Sequence, residues 1–95
     1  MVYVKRVVLD VLKPHHPSAI EFARTVAQAG TGYRVHLIVA EVDEKTETLQ
    51  IEISGNAIDF DDVQAVINGM GGSVHSIDEV EAESLPEQEE SDKAS

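Results

Sequence analysis

The side chains best suited to chemistry in this sequence are four histidines, His15, His16, His36 and His75, and the acids around them. A neutral imidazole ligates transition metals, and a protonated one binds anions. Imidazoles and carboxylates together make a divalent-metal set. The topology derived below puts the His15-His16 turn near His75, with Asp10 and Asp78 on the flanking strands. Asp43, Glu44 and Glu47 lie in a hairpin at the same edge. The expectation is a divalent metal, or an anion, held by Asp10, His15, His16 and His75. The plainer reading is a set of turn and surface residues, since neither an H-E-x-x-H helix nor another dense ligand motif is present. Asp10 sits mid-strand between Leu9 and Val11; if its face is covered it needs a partner such as Lys13, Arg6 or a His. Asp78 and Glu79 read as a solvated strand end, and His36 as a surface or interface residue.

Other chemistries find no support. With no cysteine there is no disulfide, thiolate site or Cys nucleophile. Ser18, Ser54, Ser73 and Ser76 have no nucleophile-elbow motif around them. Gly69-Met70-Gly71-Gly72 follows a helix and stops it, whereas a dinucleotide fingerprint follows a strand and opens one. The Asp43-Glu47 acids lack EF-hand spacing.

The elements that must position these groups follow from periodicity. Residues 3–12 are β-branched and apolar, with Val7, Leu9 and Val11 on one face and Val8, Asp10 and Leu12 on the other. Lys13-Pro14-His15-His16-Pro17 ends that strand. A helix over 17–29 is expected from Pro17, the S-x-x-E pattern of Ser18 and Glu21, and an apolar stripe of Ala19, Phe22, Ala23 and Val26. A second strand spans 33–43, with Val35, Leu37 and Val39 opposite in facing to His36, Ile38, Ala40 and Val42. A short hairpin leads to a third over 47–54, where Leu49, Ile51 and Ile53 point inward. A second helix over 60–70 is capped by Asp59 and carries Phe60, Val63, Val66, Ile67 and Met70 on one stripe. The last strand, 73–82, is less cleanly patterned.

The order β-α-β-β-α-β predicts an α+β, ferredoxin-like fold. Two helices would cover one face of a four-stranded antiparallel sheet ordered 4-1-3-2. One domain over 1–82 is expected, followed by a disordered acidic tail over 83–95.

Composition bounds the partners. The net charge is -11; the tail holds five acids against Lys93, which leaves -7 on the domain. Such a surface repels phosphates and anionic lipid, arguing against nucleic acid and membrane. Acid-rich and Lys-poor, it suits high salt as well as an ordinary acidic protein. The absence of disulfides, of a long apolar leader and of any apolar run near 20 residues leads to the expectation of a soluble, cytoplasmic protein.

Several motifs resemble a small archaeal family, the domain of unknown function two hundred and eleven. They are Leu9-Asp10-Val11-Leu12-Lys13-Pro14-His15, Glu41-Val42-Asp43 with Thr46-Glu47, Ile58-Asp59-Phe60, and Gly71-Gly72 followed by His75-Ser76-Ile77-Asp78-Glu79-Val80. The resemblance covers residues 4–82. It implies a ferredoxin-like fold and, for some members, ring-shaped oligomers, and it carries no agreed activity. His16 and the acidic tail go beyond what it implies.

The expected function is a non-enzymatic homo-oligomeric module that binds a small ligand or metal ion in regulation or scaffolding. Self-association is expected through the open sheet face, on which Val8, Leu12, Ile38, Ala40 and Val42 would otherwise meet water. The alternative is a small metal- or His/Asp-dependent enzyme at the histidine edge.

Overall fold

The structure, a computed structural model, describes residues 1–86. Strand β1 spans Val2–Pro14, helix α1 Ala19–Ala27, strands β2 and β3 Arg34–Val42 and Thr46–Ser54, helix α2 Phe60–Gly69 and strand β4 Ser73–Ser84. The sheet runs β2-β3-β1-β4 with every neighbouring pair antiparallel, which is the expected order read from the other edge.

The core grows from the pleat of the central strands. On β1, Val7, Leu9 and Val11 stand directly opposite Ile53, Ile51 and Leu49 of β3. All six are buried. Cross-strand apolar pairs of this kind stabilise a sheet and form the floor of its core. The roof is two helices, each contributing an i,i+4 pair: Phe22 and Val26 from α1, Val63 and Ile67 from α2. Both helices therefore lie on one face.

The helix ends follow local chemistry. Ser18 is the N-cap of α1, its hydroxyl accepting from the Glu21 N–H at 3.2 Å. The expected reciprocal half of the capping box is absent, because the Glu21 carboxylate pairs with Arg24 at 2.8 Å. Pro17 precedes the cap and is not a helical residue. The Asp59 carboxylate caps α2 by accepting from the N–H groups of Asp61 and Asp62. Beyond α2, Gly71 takes φ +85° and Gly72 donates back to the Ile67 carbonyl at 3.0 Å. A Cβ on Gly72 would meet Phe22, Ile67 and the Leu12 carbonyl within 3.2 Å, so the second glycine of the pair is a packing requirement.

Four bulges depart from simple alternation, one of them at Lys5 of β1, between the Val4–Ala82 and Arg6–Glu81 pairs. In β4, His75 and Asp78 are extra residues against β1: Val11 pairs with Val74, Asp10 with Ser76, Leu9 with Ile77 and Val8 with Glu79. The apolar residues of β4, spaced by three where a regular strand would space them by two, thereby all fall on the helix side. Val74, Ile77, Val80 and Ala82 pair there with Val11, Leu9, Val7 and Val4. This accounts for the poor patterning of the last strand.

The bulge in β2 corrects the expected facing of that strand. Val39 pairs with Leu49 but Glu41 pairs with Thr48, so Ala40 is the extra residue and Val42 comes opposite Glu47 on the helix side. The open face is also less apolar than expected. Val8 is buried within the chain, and β3 lays Thr48, Gln50 and Glu52 between Leu12 on β1 and Ile38 on β2. Arg6 crosses this face, bonding to Glu52 on one side and to Glu79 at 2.7 Å on the other.

The tail boundary also moves. Glu83 and Ser84 pair with Tyr3 and Val2 as part of β4, and Leu85 exchanges backbone hydrogen bonds with Met1. The rest of the expected tail, 87–95, lies outside the described residues.

Phe22 is the largest apolar side chain fully buried in this core. Phe22→Ala is expected to lower the unfolding free energy by about 3–5 kcal/mol in urea denaturation. Ile20→Ala, on the exposed side of the same helix, should change it by no more than about 0.5 kcal/mol.

Candidate functional site

The most developed ionisable cluster is built where β1 runs out. Lys13 is in phase with Val7, Leu9 and Val11 and so points to the helix side, where its side chain is 0% exposed. A buried ammonium must have its protons taken. Its Nζ donates to the carbonyls of Pro17 at 2.7 Å and Pro14 at 2.8 Å, and to Glu47 Oε1 at 2.9 Å, with the His15 carbonyl at 3.3 Å. Glu47 is available because β3 sets it directly opposite Lys13 in the ladder. Its other oxygen, Oε2, lies 3.1 Å from His15 Nδ1, and His15 Nε2 lies 2.9 Å from the Glu44 carbonyl. Lys13, Glu47 and His15 thus tie the β1–α1 loop to the β2–β3 hairpin.

The electrostatics follow from these contacts. The Glu47 carboxylate, and then the Glu44 carbonyl, push the His15 imidazole above its ordinary value. His15, and then Lys13, hold the Glu47 carboxyl below its ordinary range. On the open face Arg6 does the same to Glu52.

The expected histidine edge is not assembled. His15 turns toward the hairpin and has both ring nitrogens engaged there. His75 lies on the far side of β1, at its bulge, lining a hollow of about 250 Å³ with Asp10, Leu12 and Thr48. Asp10 pairs with neither Lys13 nor Arg6, whose partners are Glu47 and the Glu52–Glu79 pair. His16 is exposed in the loop, and His36 is exposed on β2 beside Arg34 and Glu52. Among the described residues, no three His, Asp or Glu side chains converge in a group able to hold a metal ion. Nor is any helix among them long and apolar enough to cross a membrane.

The segments that build the Lys13 cluster, the end of β1 and the start of β3, fall inside a family match. The family model DUF211, described as uncharacterized ArCR, matches residues 5–93. The chain belongs to the DUF211 family. Its similarity extends to Uncharacterized protein MJ0319 of Methanocaldococcus jannaschii, 42% identical over 79 residues, which are 83% of this chain and 81% of that protein. An uncharacterized protein of Archaeoglobus fulgidus is 41% identical over 54 residues, covering 53% of this chain and 34% of the relative.

The DUF211 chain's cluster was partly visible beforehand. Lys13 occupies an inward position of an otherwise apolar alternation, and Glu47 occupies the matching inward position of β3. That phase is the signal of a buried pair, and reading Lys13 as a strand terminator conceals it.

Two outcomes are expected. Lys13→Ala leaves a cavity, three unpaired carbonyls and an unpaired carboxylate, and should cost about 3 kcal/mol in chemical denaturation; Lys13→Met, keeping the volume, should recover only part of it. The acid limb of stability should depend on Glu47 and Glu52. Their lowered folded pKa values make their contributions full above the ordinary value of 4.5 and lost as pH falls through the folded values. The urea midpoint should therefore drop below pH 4.5, and Glu47→Gln should flatten that drop.

Proposed function

We propose that this DUF211 chain is a non-enzymatic scaffold domain of the ferredoxin-like type that self-assembles through its edge strands. The carrying observation is that β2 and β4 each present a six-residue edge segment with no extra residue of its own and with matching side chains. These segments are 34–39 and 79–84, each bounded by a bulge, at Ala40 and at Asp78. Among the described residues neither segment has a neighbour on its outer side. Such an edge is a row of unpaired N–H and C=O groups and a template for another chain.

The side chains favour β2 of one copy against β4 of the next. In an antiparallel register setting His36 opposite Glu81, Arg34 meets Glu83 on the open face. On the helix side Leu37 meets Val80 and Val35 meets Ala82. Val80 is 59% exposed in the single chain, and Ile77 beside it 48%. Opposite charges and apolar pairs directly across a ladder contribute about 0.2–1 kcal/mol each. A β4–β4 contact would instead oppose Glu79, Glu81 and Glu83 to one another. The favoured contact joins two different edges, so it closes into a ring or runs on as a filament.

Sedimentation analysis decides the matter. At about 100 μM the wild type is expected above monomer mass, since apolar exposure of this kind is relieved by association. Glu83→Arg should shift it toward monomer, and Glu83→Arg with Arg34→Glu should restore assembly. A monomeric wild type overturns the proposal. Assembly indifferent to both variants moves the contact away from these edges.

A further inference from the structure

His15 occupies a position that only its charged form satisfies. Its two ring nitrogens each face an oxygen that can only accept: Glu47 Oε2 at 3.1 Å and the Glu44 carbonyl at 2.9 Å. Glu47 offers no proton while it is ionised, and His15 and the buried Lys13 ammonium, 2.9 Å from its other oxygen, hold its carboxyl below the ordinary range. A neutral imidazole carries one N–H, so in either tautomer one lone pair would confront another. The imidazolium carries two and completes both bonds.

We infer that His15 is a proton-operated latch between the β1–α1 loop and the tip of the β2–β3 hairpin, fastened by the imidazolium and released by the neutral ring. The two ends differ in what else holds them. The loop remains anchored after release, because Lys13 binds the Pro14 and Pro17 carbonyls and Glu47 independently of His15. The hairpin tip keeps the Asp43 N–H to Thr46 carbonyl bond at 2.8 Å but loses a tie to the rest of the fold. Release is therefore local to residues 43–46.

The charged and titratable groups of the segments that the ring joins come from β1, the loop, the hairpin and β3. They are Lys13 on β1, His16 in the loop, Glu47 on β3, and Asp43, Glu44 and Lys45 in the hairpin. Glu47 and the Glu44 carbonyl raise the imidazole's proton affinity above its ordinary value. A raised folded pKa gives a contribution that is full below the unfolded value of about 6.5 and lost as pH rises through the folded one. At the acid end the latch opens when Glu47 takes a proton, which its own lowered pKa delays. The fastened window thus spans from below the ordinary carboxylate value to above the ordinary imidazole value.

The test is an NMR titration of the full chain from about pH 5 to about pH 9, which brackets the ordinary imidazole value. It follows the four imidazoles together with the amides of residues 43–47. His15 is expected to titrate above the ordinary imidazole value of 6.5, and the amides of 43–46 should shift and exchange faster with the His15 midpoint. In Glu47→Gln the His15 midpoint should fall toward the ordinary imidazole value of 6.5. In His15→Gln the hairpin amides should lose that transition while the amides of β1 and β3 stay in place. A His15 midpoint at or below the ordinary imidazole value of 6.5 overturns the latch, as do hairpin amides that stay flat through the His15 titration. The wild-type titration alone is decisive should either variant fail to fold.

Discussion

The register of β1 against β3 is the constraint on which the rest of this molecule depends. It stacks Val7, Leu9 and Val11 onto Ile53, Ile51 and Leu49 as the floor for both helices. Continued by one inward position, the same register brings Lys13 onto Glu47. A shift of one residue would send every one of these side chains to the other face, exposing the apolar set and parting the ion pair. The core and the polar cluster are thus two ends of a single ladder.

Lys13 shows why a charge is tolerated at the end of such a ladder. The chain turns there through Pro14 and Pro17, neither of which has an N–H, and the carbonyls of both accept from the Lys13 ammonium. An ammonium with three protons answers that shortage, and Glu47 balances its charge. The lysine is therefore part of the loop's backbone hydrogen bonding as much as part of an ion pair. A leucine of similar size would fill the space and orphan the carbonyls.

The two central strands are legible in the sequence because alternation is unbroken from Arg6 onward in β1 and throughout β3, whereas the Lys5 bulge that brings Val4 to the helix side is not. Both helices were legible from their i,i+4 apolar pairs, and α2 from its Asp59 cap. The edge strands were not. A bulge is one residue that changes the phase, and nothing in the local composition around Ala40, His75 or Asp78 announces it. Simple alternation carried past Ala40 puts Val42 on the wrong face for that reason. Of the histidine edge, Asp10 and His75 share one hollow, whereas β1 lies between His75 and the His15 turn, and Glu47 and Glu44 engage both nitrogens of His15. The Lys13–Glu47 pair was recoverable from phase alone.

The bulges of β4 bear on how this strand can vary in length. Without Asp78, Ile77 and Glu79 become neighbours, and their partners Leu9 and Val8 are neighbours already. Without His75, Val74 and Ser76 likewise match Val11 and Asp10. Removing either residue therefore leaves every other pairing intact, whereas a deletion elsewhere in the strand would turn one flank inside out. Alignment gaps are thus tolerable at two positions in the middle of a strand, where they are ordinarily least expected. What such a shortened chain would lose is protection: an uninterrupted β4 is a longer straight edge, and straight edges invite indiscriminate pairing. The two supernumerary residues confine the adhesive part of the edge to its final half.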